Sequence, residues 1–490
     1  MSMNISSNTK KKIIDIAKFA FLIVVLFLLF LLVENILFTT DLGAIDVSKN
    51  AHFTITDSTK EKLKNIDKEV DIYIVNVNTE TTVERLLKSY NKENSNIRFK
   101  RIPNITDDPE LAIKFNMDNS TTQLLAVVCG DNMKFIDSSS LSFTNYNMET
   151  GVALSEDRSE ETITNAILAV YSDAKPKIRL FMGHRGDTDL VTEYGSFLAD
   201  LYNNMYDIDS ISIQSSDEDP DADVILMMGI TEDITTYEKV VLENFLEHGG
   251  DLFICQSMVD VEENYPNFES LISKYGLSFD KGIIYEESSA NAYNYPIYIV
   301  EDITKNITTK GEDLNLKACL AAATPIALSE REGVTHEILA QTSDLAFLRK
   351  ALVFDAEGKE YKYHTDQDSD YNNFIVGAIA TKKIDEGVES NIIMYSSIEM
   401  LENLEFQLTN GTDVKTYDFC NLFHNREIGV NAVNYLSGRM ENISVRKSYE
   451  YIKYYLTDEE DQSIIKVLYG IPVMIIAVGA IVQFARKRSK

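Results

Sequence analysis

His184, Arg185, Asp187 and Asp189 stand within six residues of one another, in and just after the turn Gly183-His184-Arg185-Gly186-Asp187. The turn follows the apolar run Ile178-Arg179-Leu180-Phe181-Met182. An imidazole, a guanidinium and two carboxylates at the end of a buried strand could hold a polar ligand in the crevice where open α/β sheets bind. The same residue types also suit a turn with no ligand. Cys255 closes a second apolar run, where a nucleophile stands in hydrolase and amidotransferase folds. Its neighbours Ile254, Gln256 and Ser257 lack the small residues of a nucleophile elbow, and no partner histidine is evident. Asp217, Glu218, Asp219, Asp221 and Asp223 resemble a cation site in composition only, without the glycine turn and distal glutamate of an EF-hand loop. No G-x-S-x-G and no G-x-x-x-x-G-K-[ST] occurs, so neither a serine hydrolase nor a P-loop ATPase is written here. No catalytic residue, cofactor or metal is expected. His184, Arg185, Asp187 and Asp189 are the candidate ligand contacts.

The elements that position these residues follow from periodicity. Val224–Met228 is a continuous apolar run ending at Gly229, as a strand buried on both faces reads. Ile234, Tyr237, Val241, Leu242, Phe245 and Leu246 recur at helical spacing, opened by Thr235 or Thr236 and stopped at Gly249-Gly250. Leu252–Cys255 is a further buried strand, so 221–257 is a βαβ unit with a parallel pair. Flanking it are strands at 178–182 and 208–213, a helix at 190–202, a helix at 267–275 and a strand at 282–285. Together they predict a doubly wound sheet. Strands over 335–342 and 374–380 are expected to share one sheet, with a polar loop at 358–373 between them. A strand at 391–395 and a helix at 428–436 follow. Upstream, a helix at 60–66 capped within Asp57-Ser58-Thr59 precedes strands and helices at 70–75, 82–91, 97–102 and 109–115. A hairpin over 124–128 and 133–136 closes that region. This β-α-β-α-β-β order is that of a thioredoxin-like core. Asn76-Val77-Asn78 stands where the redox motif would lie, so such a domain is redox-dead.

Two apolar segments set the broad class. Phe19–Val33 and Val467–Val482 run without a break, and each extends to about 20 residues, enough to cross a bilayer as a helix. Lys10, Lys11, Lys12 and Lys18 flank the first, and Arg486, Lys487, Arg488 and Lys490 follow the second. By the positive-inside rule both termini are expected in the cytoplasm. The expected organisation is a tail at 1–12, a transmembrane helix at 13–38 and a thioredoxin-like α/β domain at 46–150. A Rossmann-like α/β domain with a β-rich second half follows at 160–440, then a linker at 441–463, a transmembrane helix at 464–485 and a basic tail at 486–490. The fold class is thus an α/β ectodomain, thioredoxin-like and then doubly wound and mostly parallel, between two membrane helices. A formal net charge of −31 across 490 residues, with both tails basic, repels nucleic acid and suits a solvated exterior domain. The four cysteines, Cys129, Cys255, Cys319 and Cys420, have no metal-ligand spacing, and Cys129 and Cys255 read as buried thiols.

Taken together, the chain resembles the GldG-like auxiliary proteins of ABC transport systems, first associated with gliding motility. The resemblance rests on FTITDSTKEKLKNIDKEVDIYIV after the first span, the GHRGD turn, DADVILMMGI…LENFLEHGGDLFICQ, Gln341-Thr342-Ser343, FIVGAIA, Asn431–Leu436 and the Pro472 span with its basic tail. Arg185 departs from the small residue usual in the family's Gly-His turn, Asp187 stands where glutamate is commoner, and the His-Pro pair before Ile303-Thr304 is missing. The resemblance implies a membrane-anchored partner, without ATPase activity, of a permease and an ATPase on separate chains. It would contact lipid through its two spans and bind substrate or an envelope partner outside the membrane. The alternatives are an anchored ectoenzyme using Cys255 or His184, and a sensory or adhesive surface protein.

Overall fold

The computed structural model describes residues 54–439 except 119–120, 147–152, 173–174, 215–218, 263, 304, 310–315, 355–359 and 411–412, together with Lys18 and Phe21. Apart from those two residues, both expected spans lie outside the described residues, as do the tails and the linker. Among the described residues no helix is long and apolar enough to cross a membrane.

The chain first builds a four-stranded sheet. Helix α1 (Asp57–Leu63) starts three residues earlier than its apolar spacing predicts, because the Thr56 hydroxyl accepts the Thr59 amide at 3.2 Å. Then come β1 (Val70–Val75), α2 (Thr82–Glu93), β2 (Ile97–Ile102), α3 (Pro109–Phe115), β3 (Leu124–Cys129) and β4 (Asn132–Asp137). The sheet order is β2-β1-β3-β4, with β1 parallel to β2 and the other pairs antiparallel. The largely apolar β1 and β3 take the centre, and the alternating β2 and β4, solvated on one face, take the edges. A hairpin of β5 (Ser142–Tyr146) and β6 (Ala153–Asp157) leads into α4 (Ser159–Tyr171). Leu63, Leu87, Tyr90, Ile163 and Ile167 from α1, α2 and α4 cover one face of the sheet, and Phe115 of α3 the other.

The second part begins with β7 (Lys177–Phe181), α5 (Leu190–Glu193), α6 (Gly195–Asn203), β8 (Asp207–Ile211), β9 (Val224–Met228), α7 (Thr236–Glu247), β10 (Asp251–Cys255) and α8 (Pro266–Ser273). Short strands follow: β11 (Leu277–Phe279), β12 (Ile283–Glu286), β13 (Ala292–Tyr293), β14 (Tyr295–Ile303), β15 (Leu316–Ala321) and β16 (Ile326–Leu328). Next are β17 (Val334–Gln341), β18 (Ala346–Arg349), β19 (Ile375–Asp385), β20 (Val388–Tyr395), β21 (Glu405–Asn410), β22 (Asp413–Asp418) and α9 (Asn425–Leu436). The large sheet runs β17-β19-β20-β10-β9-β7-β8. From β20 to β8 neighbours are parallel, and β19 and β17 add an antiparallel edge. Alternate residues of β9 and β10 serve two apolar layers. Val224, Leu226, Met228 and Phe253 face α5, α6 and α9, while Ile225, Met227, Leu252 and Ile254 face α7 and α8.

Two sequence expectations need correction. The single helix at 190–202 is two, because Tyr194 leaves helical dihedrals at φ −104° and ψ 20°. Asn403 satisfies backbone groups freed at that break: its side chain accepts the Ser196 amide at 2.8 Å, and its amide donates to the Glu193 carbonyl at 2.6 Å. The strand expected at 282–285 does not join the large sheet; Ile283–Glu286 pairs antiparallel with β18 instead. A short apolar run carries no signal of which partner it will find.

Candidate functional site

Along the large sheet the parallel strands follow one another as β8, β7, β9, β10, β20, so the order reverses between β7 and β9. That is a topological switch point, the place where open α/β sheets form a crevice beyond their carboxyl ends. His184 and Arg185 leave β7 at this point, and Gly229 leaves β9.

The crevice is filled by the chain's own side chains. The Arg185 guanidinium donates to the Tyr194 hydroxyl at 2.7 Å and pairs with Glu402. The Tyr194 hydroxyl in turn donates to the Ile398 carbonyl at 3.1 Å. Burial pushes the Glu402 carboxyl upward, against the pull of Arg185. Gly229, at φ 63°, is held in the left-handed region; a β-carbon there would lie 2.5 Å from Ile398 Cγ2 and 3.1 Å from Arg185 Nη1. His184 turns the other way. Its Nε2 lies 2.9 Å from Glu238 Oε1, its ring stacks on Phe181, and its carbonyl accepts the Thr231 amide at 2.7 Å. Glu238 is also the third residue of α7 and the acidic member of its capping box, accepting the Thr235 amide and hydroxyl at 2.6 Å each. Burial opposes its charge, but the bonds from Thr235 and His184 hold its carboxyl below the usual range.

The four sequence candidates therefore do not converge. His184 serves the start of α7, Arg185 covers the switch point, and Asp187 is exposed. Asp189 caps α5, accepting the Thr192 hydroxyl at 2.8 Å and the Val191 amide at 3.2 Å. Cys255 is fully buried, and its thiol is pushed far up by desolvation and by the nearby Glu402, the opposite of an activated nucleophile. All four cysteines are buried. In the acidic loop, Asp221 pairs with the Lys177 amine and Asp223 accepts the Lys177 amide at 2.7 Å, so these carboxylates serve a lysine.

Among the described residues, two clefts away from the switch point border α9. One, of about 780 Å³, opens at the amino ends of β9 and β10, between α7 and the end of α9. Asp251 at its wall accepts the Asn391 amide at 2.6 Å, and burial raises its carboxyl to about 7. The other, of about 510 Å³, lies between the first sheet and the second part of the chain. Lys134 of β4 and Arg158, Glu161 and Asn165 at α4 meet Asp200, Asn203 and Asn204 at the end of α6 there. Arg426, Glu427, Asn431 and Asn434 of α9 complete the wall. Arg158 pairs with Glu427 at 2.8 Å and Arg426 with Asp200 at 3.0 Å. Lys134 donates to Asn204 Oδ1 at 2.7 Å, and burial lowers its amine to about 8.

No local pattern announces this cavity, since its residues are drawn from positions 134 to 434. The one trace in the sequence is α9, whose inward face carries amides among apolar residues. Asn425 is spent on structure, bonding the Cys319 amide and the Cys319 and Phe419 carbonyls. Asn434 accepts the Tyr206 hydroxyl at 2.7 Å. Asn431, equally buried, has no partner for its Nδ2.

The second part of the chain is thus an open, mostly parallel α/β sheet whose switch point is covered by its own Arg185, Tyr194 and Glu402. Residues 175–432 match the family described as "ABC-type uncharacterized transport system", which takes in the second part of the chain from just before β7 into α9. The chain belongs to that family and is an auxiliary component of an ABC transport system. No curated protein matches it. Among solved structures it is similar to the "mmIFT52 N-terminal domain", at 15% identity over 53% of this chain and 97% of that one, TM-score 0.39. It is also similar to a ThuA-like protein from Bacteroides uniformis, at 13% identity over 54% and 93%, TM-score 0.32. A ThuA-like protein from Parabacteroides merdae matches at 9% identity over 57% and 94%, TM-score 0.30.

Proposed function

We propose that the chain is a membrane-anchored, non-catalytic subunit of an ABC transporter whose permease and ATPase are separate chains. In this reading the two apolar segments at 13–38 and 464–485 hold it in the membrane. The α/β region, with a first part read as a thioredoxin-like domain without redox chemistry and a second as Rossmann-like, stands outside and binds substrate or an envelope partner. The single observation that carries the reading is the family match over 175–432. The basic residues outside both apolar segments support the topology, and the buried, protonated Cys255 speaks against the anchored-enzyme alternative. GldG-like specificity is part of the proposal, on the residues that carry the resemblance.

The buried cysteines make the topology measurable. Ile113 on α3 is 81% exposed, so Ile113→Cys is expected to react with a membrane-impermeant maleimide in intact cells while the parent chain does not. Labelling of the variant only after lysis would place the domain on the cytoplasmic side and end this reading.

A further inference from the structure

We infer that the cleft at the amino ends of β9 and β10 binds an organic ammonium ligand, a protonated amine carried on an aliphatic body. The inference rests on the reading above, in which the α/β region binds a ligand, and names that ligand's class. The cleft's volume of about 780 Å³ falls in the range of small-molecule sites. Its central group is the carboxyl of Asp251, which lines the cleft and is 6% exposed. Asp251 Oδ1 accepts both donors of Asn391, the backbone amide at 2.6 Å and Nδ2 at 3.1 Å. Among the described residues neither a donor nor a cation is paired with Oδ2, and that oxygen is not sealed from solvent. Burial raises this carboxyl to about 7 against the bonds from Asn391, and Asp223 adds to the rise. A cation within hydrogen-bond distance of Oδ2 would offset the cost of holding the charge there.

The rest of the wall selects the sign of the ligand. Asp219 and Asp223 line it beside Asp251, against the one amine of Lys175. Asp219 accepts the Asp221 amide at 3.0 Å and Asp223 the Lys177 amide at 2.7 Å, so backbone groups rather than cations occupy them. His248 lies with Nδ1 2.7 Å from the Asn244 carbonyl; a neutral ring donating there presents Nε2 as an acceptor. Helices α7 and α9 both end at the cleft, and a helix C-terminus carries partial negative charge that favours cations. Val241 and Phe245 on one side and Leu436 on the other give an aliphatic body an apolar seat. A metal ion fits less well, since among the described residues no group of three or more His, Cys, Asp or Glu is placed to hold one.

The test uses the full chain in a nonionic detergent at about 0.15 M salt, which screens the acidic surface beyond about 8 Å. Hexylamine and cadaverine are the probes, hexanol and hexanoate the counter-probes, and titration calorimetry is the readout. At least one of the two amines is expected to bind saturably. Asp251→Asn, which keeps the oxygen that Asn391 uses, is expected to weaken it by about tenfold or more. Should that variant fail to fold, Asn244→Lys places a positive charge at an exposed position of the same wall and is expected to weaken the same amine. Glu262→Gln, exposed and outside the wall, removes an acidic side chain elsewhere and should leave binding unchanged. The inference is overturned if neither amine binds the folded chain, or if hexanol or hexanoate binds as tightly as the amine. It is equally overturned if amine binding survives undiminished in the folded cleft variants, or if Glu262→Gln weakens it as much as they do. Amine binding by a chain that recovers no permease would sink the transport proposal and leave this one standing. A chain that recovers its permease and binds neither amine would do the reverse.

Discussion

Arg349→Ala is expected to cost the chain about 3–5 kcal/mol of stability, the range for removing one partner of a buried ion pair. Arg349 ends β18, and both its side chain and that of Asp368 are 1% exposed. The guanidinium makes two bonds of 2.8 Å to Asp368, donates to the Tyr363 carbonyl at 2.9 Å and to the Tyr361 carbonyl, and lies 4.4 Å from the Tyr285 ring centroid. It therefore fastens residues 361–368 of the polar segment after β18 onto β12 and β18. Alanine would leave the Asp368 carboxylate buried with only the Thr365 amide and hydroxyl as donors, each at 2.8 Å. The sign of the pH dependence follows. In the parent chain burial works against the Asp368 charge, yet the bonds from Arg349 and Thr365 hold its carboxyl below 3.8. Its contribution is thus present above the unfolded value and lost as pH falls through the folded one. Without Arg349, burial is left to dominate and the folded value rises, so the variant should regain stability on moving from pH 7 to pH 5. Urea unfolding at the two pH values checks this. A loss below about 1 kcal/mol, as for an exposed pair, would show that the pair does not hold the segment.

Glu301→Gln should act in the opposite direction and stabilise the protein at alkaline pH. Glu301 on β14 is 4% exposed, and its Oε1 has no hydrogen-bond partner; Oε2 accepts only a 3.3 Å bond from Asn291. Burial, and then the nearby Glu286, raise its carboxyl to about 9 from 4.5. The folded state consequently holds a proton that the unfolded state releases above about 4.5. Stability is greatest below that value and falls as pH rises toward 9, at up to about 1.4 kcal/mol per pH unit. Glutamine keeps the neutral form and its shape without the titration. The variant should gain about 2–4 kcal/mol at pH 8 and little at pH 4, read as thermal midpoints across that range. An unchanged pH slope would remove Glu301 as its source.

How far the sequence alone reaches can be judged from particular elements. The strand at 224–228, the capped helix after it and the strand at 252–255 are legible because each carries its own signal: an unbroken apolar run, a Thr-x-x-Glu box, a glycine stop. Helix α3 falls at the expected 109–115 because Pro109 fixes its first turn. Long-range pairing is not local information. Nothing in Ile283–Glu286 says that it will pair with β18, and nothing in Gly195 says that Asn403, far along the chain, will receive a broken helix. The candidate site shows the same limit. The run from His184 to Asp189 attracts notice because its polar residues are close in sequence, yet in space they serve a helix cap, an ion pair and a turn. The cavity between α4 and α9 gathers residues from both parts of the chain, and only the amides of α9 hint at it.

The central claim, that this chain works as the anchored companion of a separate permease and ATPase, is tested most directly by affinity purification of the tagged, full-length chain. It should be drawn from its native membrane in mild detergent after brief cross-linking, with identification of the co-purifying proteins. The account predicts an ABC permease and its ATPase in stable proportion to the tagged chain, both lost when 464–490 is deleted and the remaining chain is still folded. Recovery of the intact chain without either of them would contradict it.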